Sequence, residues 1–305
     1  MKNAHADAVP VAQTPIAALP RAARLSDYVA LTKPRLNFLV VATSAAGYYL
    51  GTTGPVDPLT MATAVGGTAL VAGGAAVLNQ VYERDTDALM LRTRRRPLPD
   101  GRVAPLDATA FGIGLAATGL ALLATRSNAF AALLAAATLV TYLLIYTPIK
   151  RRTPLATLVG AVPGALPPLI GWTAARGAIT AGGLALFAIV FLWQVPHFMA
   201  IAWMYRDDYG KAGFPMLPVV EPDGRRTGRH AAIFALLLVP ATIIPTIVGV
   251  SGRVSAVVAF ALGLALAWLA LQFAADRSDR SARRLFFASI TYLPLIWIAM
   301  ILDKL

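Results

Sequence analysis

Gly73-Gly-Ala-Ala-Val-Leu-Asn79-Gln-Val-Tyr-Glu83-Arg-Asp-Thr-Asp87-Ala-Leu-Met90, followed by Arg92, Arg94, Arg95 and Arg96, runs an apolar helix directly into a row of oxygen ligands and then into arginines. Side chains at i, i+4 and i+8 of a helix turn by about 40° per step, so Asn79, Glu83 and Asp87 fall on one stripe. Hard cations such as Mg²⁺ take oxygen ligands of this kind and commonly share them with substrate phosphates. Arginine forks suit phosphate oxygens. The plainer reading is a polar helix end followed by a basic loop at a membrane surface.

Composition decides what surrounds this stripe. The 305 residues are 57% apolar and only 14% charged, with a mean hydropathy of +0.65. Soluble domains carry roughly a quarter charged residues, so the chain reads as a polytopic membrane protein in the lipid bilayer. Its net charge of +12 comes from short basic blocks between apolar runs, which are orientation signals and not a nucleic-acid surface. The absence of cysteine excludes disulfides, thiolate metal ligands and cysteine nucleophiles.

Apolar stretches of spanning length fall near 36–53, 60–80, 106–125, 128–147, 154–174, 179–203, 231–250, 254–274 and 285–302. Of the 27 Lys and Arg residues, all but Arg126, Arg176, Arg253 and Lys304 lie on one side of these nine spans. The positive-inside rule then places the N-terminus in the cytoplasm and the C-terminus outside, in a multi-pass protein of the cytoplasmic (inner) membrane. Residues 1–24 lack an apolar core of signal-peptide length and read as a disordered cytoplasmic tail, leaving 25–305 as the membrane domain.

Two cytoplasmic loops, about 81–105 and 204–230, mix acids with bases, and they follow spans two and six. That spacing suggests an internal repeat in which each half caps a shared cavity. Gly66, Gly67, Gly73 and Gly74 allow close approach of a neighbouring helix or of a bulky ligand. Gly160, Pro163, Gly164, Pro167, Pro168 and Gly171 break one span, which must therefore face protein or a filled pocket.

Asp85 falls off the stripe on a regular helix and is the weaker ligand. Asp207 and Asp208 offer carboxylates from the second loop, or simply pair with Arg206 or Lys211. Tyr146, Lys150, Arg151 and Arg152 close span four. Lys150 and Arg151 suit a departing diphosphate, Tyr146 offers a π face to a carbocation, and Arg152 serves equally as a headgroup anchor. His197, the only histidine within a span, lies eleven residues before Asp208 and so returns to nearly the same helix face. It is a candidate contact for a second substrate, through haem iron or a propionate, against a packed imidazole satisfied by a carbonyl.

The chain resembles the intramembrane prenyltransferases that share an Asn-xxx-Asp-xxx-Asp motif, and within them the haem-farnesylating branch. The resemblance covers 26 to about 303. It rests on Leu31-Thr-Lys-Pro-Arg35, Tyr82 to Met90 with Arg92-Thr93, Tyr146 to Pro154, Pro163 to Pro168, Trp193-Gln-Val-Pro-His-Phe198, and Asp208-Tyr with Pro215-Met-Leu-Pro218. Glu83 stands where the wider motif has Asp, and Lys211 replaces the later acid of the second motif, which removes a carboxylate from any second Mg²⁺ site.

The resemblance implies an all-α fold, nine transmembrane helices around a central cavity opening to the cytoplasmic face. It implies farnesyl diphosphate and haem B as substrates, Mg²⁺ as cofactor, and haem O for terminal oxidases as product. Haem-synthesis or terminal-oxidase assembly proteins are the partners such a product implies. Catalysis is expected at Asn79, Glu83, Asp87, Lys150 and Asp208, with Asn79, Glu83 and Asp87 holding the metal. Substrate binding is expected at Arg35, Arg95, Arg96, Tyr146, Arg151, His197 and Asp207. The rivals are prenylation of a quinone precursor or other aromatic acceptor, and a secondary transporter. Transporters place ionisable groups near the midplane, whereas the acids here cluster at one face.

Overall fold

The computed structural model describes residues 23–305, so nearly all of the expected 1–24 tail lies outside the described residues. A short helix α1 (Leu25–Leu31) leads into α2 (Pro34–Gly51), α3 (Pro58–Tyr82) and the six-residue α4 (Arg84–Leu89). Then follow α5 (Pro105–Arg126), α6 (Ala129–Ile149), α7 (Ala156–Arg176), α8 (Ala181–Met204), α9 (Arg206–Lys211) and α10 (Leu217–Val220). The chain closes with α11 (Arg225–Ile247), α12 (Arg253–Asp276) and α13 (Asp279–Leu302). The starts follow local chemistry. Pro34, Pro58 and Pro105 occupy first-turn positions, where a missing N–H costs nothing. Asp57, Asn128 and Ser278 accept hydrogen bonds from the first turns of α3, α6 and α13.

Of the nine spans read from the sequence, eight (α3, α5, α6, α7, α8, α11, α12 and α13) are long and apolar enough to cross a membrane. The first, α2, has 18 residues but carries Arg35, Asn37, Thr43, Ser44 and two glycines. It packs along α7, and protein contact on that face lowers the apolarity it needs. A Cβ on Gly171 would collide with the Ser44 carbonyl, and one on Gly47 with the Pro168 carbonyl. The proline-rich α7 thus remains a continuous helix and is the most buried of the eight. Gln194 of α8 donates to the Ala161 carbonyl at 3.2 Å, and Asn128 donates to the Thr173 carbonyl at 2.8 Å. Protein side chains therefore supply the polar partners that lipid could not.

The α3–α5 seam uses half of the expected glycines. A Cβ on Gly74 would stand 2.6 Å from the Gly112 carbonyl oxygen, and Gly67 lies against Gly119 and Leu123, whereas Gly66 meets open space and Gly73 makes only ordinary contact with Thr32. Successive glycines point 100° apart, so only one of each pair can face the seam. The two largest apolar cores divide the spans between them. One joins α3, α5, α6 and α7, with Tyr48 of α2, and the other joins α8, α11, α12 and α13 to α2 and α7. The pair α2 and α7 contributes to both.

At the end of the bundle opposite the polar loops, Lys304 Nζ donates to the Tyr49 and Thr52 carbonyls at 2.7 and 2.8 Å. This satisfies carbonyl oxygens that the end of α2 leaves open. Asp303 accepts from the Ser255 N–H at 2.6 Å and so caps α12.

Gly171→Val drives two methyl groups into the α2 backbone. We expect destabilisation of about 1–3 kcal/mol or more, seen as a lowered thermal midpoint in detergent, because neither backbone can yield. An unchanged midpoint would place α2 away from α7.

Candidate active site

Asn79, Glu83 and Asp87 are all buried, at 3%, 4% and 1% exposure. The helix changes direction at Glu83 (φ −92°, ψ 6°), where α3 gives way to α4. Even so, the Glu83 N–H donates to the Asn79 carbonyl and the Asp87 N–H to the Glu83 carbonyl, at 2.9 and 2.8 Å. The bend therefore keeps the i, i+4 register, and the stripe survives it. Asp85 stays outside on the exposed side, paired with Arg84 at 3.0 Å.

Each member of the stripe meets one cation. Lys33 Nζ donates to Asn79 Oδ1 at 3.3 Å, Lys150 Nζ to Glu83 Oε1 at 3.1 Å, and Arg96 Nη1 to Asp87 Oδ2 at 2.7 Å. The three cations come from three separate parts of the chain and converge on the nine residues Asn79 to Asp87. Asn79 also donates to Thr147 Oγ1 at 3.2 Å, which ties the stripe to the end of α6. Desolvation first, then repulsion by Arg96, lowers the Lys33 ammonium to about 7. An anion arriving between these groups restores its full charge.

Lys33 is the residue that the sequence reading omits, having chosen Arg35 from the same motif. Lys33 adopts a left-handed conformation (φ +50°), uncommon for a residue with a side chain, directly before Pro34. The turn is held from below: Gln80 Nε2 donates to the Leu31 carbonyl at 2.6 Å, and Asp27 pairs with Arg102. Arg35, two residues on, is exposed and has no side-chain partner among the described residues. Arg95 and Arg151 are likewise exposed, while their neighbours Arg96 and Lys150 turn inward.

Tyr146 seats its ring over Gly160, where no Cβ would fit, and stacks on Tyr142 at 5.4 Å. The segment Thr141–Tyr146 is wound as a π-helix, with Pro148 just beyond it. Pro148 lacks an N–H and its ring crowds the carbonyl of residue 144, a strain that the wider turn relieves. Lys150 lies 4.7 Å from the Phe214 ring centroid and 6.0 Å from that of Tyr146.

The two polar loops meet over this cluster. Met90 packs with Tyr209, Ala212 and Phe214, and Asp208 Oδ1 accepts from the Leu91 N–H at 3.4 Å. Asp207 is exposed. Arg206 pairs with neither aspartate and reaches Asp279 at 2.8 Å. The second loop copies the backbone of the first: α8 breaks at Tyr205 (φ −112°, ψ 20°) and continues as six-residue α9, as α3 breaks at Glu83 and continues as α4. The repeat does not extend to the carboxylates. Tyr205 and Tyr209 occupy the positions of Glu83 and Asp87, and Arg92 from the first loop lies 5.4 and 6.0 Å from their ring centroids. An aromatic platform for a cation thus replaces a second carboxylate stripe.

His197 lies in an aromatic slot, stacked on Trp193 at 5.0 Å and Phe286 at 5.2 Å. Its Nδ1 is 2.7 Å from Ser289 Oγ, and that hydroxyl donates to the Phe286 carbonyl at 2.6 Å. With its one proton so used, the serine oxygen accepts from Nδ1–H, leaving Nε2 as the imidazole's free lone pair. The break at Tyr205 interrupts the helix between His197 and Asp208, so their shared face does not carry through.

The donor set suits a hard cation. It offers an amide oxygen and two carboxylates, buried and aligned, with no sulfur or imidazole. Among the described residues no group of three or more acidic, imidazole or thiol side chains gathers into a complete metal cage. Substrate oxygens and water must complete the shell, as is usual for Mg²⁺.

The family model described as the UbiA prenyltransferase family matches residues 40–291, and the chain belongs to that family. It is thus a multi-pass membrane prenyltransferase. It is 44% identical over 289 residues to protoheme IX farnesyltransferase of Solibacter usitatus, covering 92% of this chain and 99% of that one. It is 47% identical over 277 residues to the protein of the same name from Anaeromyxobacter sp., covering 90% and 93%. Solved structures share the fold. A digeranylgeranylglyceryl phosphate synthase superposes with a TM-score of 0.77 at 18% identity, covering 92% of this chain and 98% of that one. A UbiA homologue from Archaeoglobus fulgidus bound to GPP and Mg²⁺ superposes with 0.64 at 17% identity, covering 90% and 99%.

Glu83 and Lys150 are both largely buried, with side chains 4% and 15% exposed. Glu83→Gln strands the ammonium, and we expect a loss of about 3–5 kcal/mol in unfolding stability. Adding Lys150→Met should recover much of it, whereas strictly additive losses would show that the pair is uncoupled.

Proposed function

We propose that this chain transfers the farnesyl group of farnesyl diphosphate to a vinyl group of haem B, giving haem O, at the cytoplasmic face of the inner membrane. The observation that carries the reading is the buried row of Asn79, Glu83 and Asp87, met one to one by Lys33, Lys150 and Arg96. Relatives at 42–47% identity bear the name of this activity along nearly their whole length. The basic loops supply the positive-inside argument for orientation.

In this reading Asn79, Glu83 and Asp87 hold Mg²⁺, which when bound supplies Lewis-acid stabilisation to the diphosphate. Lys33, Arg96 and Lys150 move from the stripe to the phosphate oxygens. They take up the charge that grows as the carbon–oxygen bond of the farnesyl ester breaks. The electron pair leaves with the diphosphate, and the allylic cation faces the Tyr142–Tyr146 stack, whose π faces stabilise it. Burial of the cluster keeps water from quenching it early. The haem vinyl group then bonds to the farnesyl carbon. Water adds to the resulting haem-side cation and loses a proton, leaving a hydroxyethylfarnesyl group.

His197 offers Nε2 to haem iron as an orienting contact. Asp208, bonded across to Leu91, holds the loops together over the site. Arg92, between Tyr205 and Tyr209, joins them as a cation at the loop junction. Arg35, Arg95 and Arg151 remain at the surface, where they serve initial attraction of an anionic substrate, and Asp207, also exposed, takes no part in that attraction.

Purified protein incubated with Mg²⁺, haem B and farnesyl diphosphate should yield a pigment whose mass has grown by the hydroxyethylfarnesyl change. Chelation of Mg²⁺ should abolish turnover, and Asp87→Asn should lower kcat by about 100-fold or more with the fold retained. Unchanged haem alongside prenylation of a quinone precursor would keep the enzyme class and overturn the acceptor.

A further inference from the structure

A groove of about 730 Å³ opens between α12 and α13, away from the diphosphate site. Its walls are Leu269, Asp279, Arg280, Arg283, Arg284 and Phe287. The Arg206–Asp279 pair fixes this corner at the same end of the bundle as the second polar loop. On α13, Arg280, Arg283, Arg284 and Phe287 stand at i, i+3, i+4 and i+7, which is one face of a helix.

Three like charges on one face repel one another, so their neutralisation matters. Nearby acids do not form close pairs with these arginines, although Asp276 lies within electrostatic reach of Arg284. Asp276 accepts from Ser278 Oγ at 3.1 Å and Ser281 Oγ at 2.5 Å at the start of α13, and Asp279 is held by Arg206. No ion pair among the described residues includes Arg280, Arg283 or Arg284. The basic start of α11 differs, since Arg225 and Arg226 pair with Asp223 and Glu221 in the preceding loop. Beneath the arginines the groove becomes apolar at Leu269 and Phe287. Phe287 is 65% exposed and Ile290, three residues further on the same face of α13, is 45% exposed, so the apolar surface continues down that helix. A soluble phosphate or an acidic peptide would use the cationic rim and leave this apolar continuation uncovered.

The geometry points to a binding site for an anionic phospholipid, with its phosphate on the Arg280, Arg283 and Arg284 forks and an acyl chain along Leu269 and Phe287. Guanidinium forks match phosphate oxygens in pairs. Basic recesses between spans at the cytoplasmic side are suited to anionic headgroups. The site is separate from the metal stripe and independent of which acceptor the enzyme prenylates.

The test is native mass spectrometry of full-length protein in mild detergent, with phosphatidylglycerol and phosphatidylcholine of identical chains in equal amounts. Wild type should retain phosphatidylglycerol selectively. Each arginine should contribute about fivefold, so Arg280→Gln/Arg283→Gln/Arg284→Gln should lose on the order of 100-fold in apparent affinity. Arg225→Gln/Arg226→Gln/Arg229→Gln, which removes as many charges elsewhere, should retain the selectivity. Equal loss in both triple variants, or none in the first, would overturn the site. So would glycerol phosphate competing as well as the lipid. Thermal midpoints in phosphatidylcholine alone check folding. If the first triple variant unfolds, single Arg283→Gln carries the test with its fivefold loss.

Discussion

Two carboxylates buried at the edge of an apolar bundle must be neutralised, and much of this structure answers to that constraint. A lone ionised carboxylate in such surroundings costs several kcal/mol even after relaxation. Glu83 and Asp87 are held by Lys150 and Arg96, and the amide of Asn79 by Lys33. These cations enter from the end of α6, from the loop after α4 and from the turn before α2. The site is therefore a junction of chain segments distant in sequence, and its charges help fix where those segments lie. The same pairing makes it ready for an anion, since each cation needs only to exchange one oxygen partner for another.

The division of labour between the two halves follows from the same economy of charge. Both use a long helix, a one-residue break and a six-residue helix, a construction that projects side chains over the bundle end. A second carboxylate stripe would bring two more acids to be neutralised. Tyr205 and Tyr209 instead take those positions and receive Arg92 against their faces. The first half supplies the buried carboxylate row and the second covers it with aromatic and apolar contacts, with Phe214 reaching Lys150.

The spans, the stripe and the meeting of two polar loops were legible because each is a matter of local period or charge placement. Asn79, Glu83 and Asp87 share a face whatever the rest of the chain does. The choice between neighbours was not legible. Lys150 and Arg151, or Arg95 and Arg96, differ in sequence by one place and in direction by a large angle, and only the path of the loop decides which turns inward. Lys33 needed a further step: an unusual backbone conformation aims it, and that conformation depends on Gln80 holding the Leu31 carbonyl 49 residues away. The available signal was only its place in the Leu31-Thr-Lys-Pro-Arg35 motif, since Glu83 and Asp87 already have Lys150 and Arg96 and the Asn79 amide demands no cation. The partner of His197 was hidden for the same reason, since Ser289 lies 92 residues on. Low apolarity in α2 was visible, but its cause, a close seam with α7, appears only when the helices are packed.

The Lys304 contact also sets a timetable for biogenesis. The carbonyl oxygens of Tyr49 and Thr52 leave the translocation machinery early, yet their ammonium partner lies 255 and 252 residues further along the chain. At ordinary synthesis rates that interval is roughly 10–50 s. During it, the exit of the first span relies on water or headgroups. The α2–α7 seam can assemble well before that bond forms, so Lys304 closes a bundle end whose helix seam is already in place.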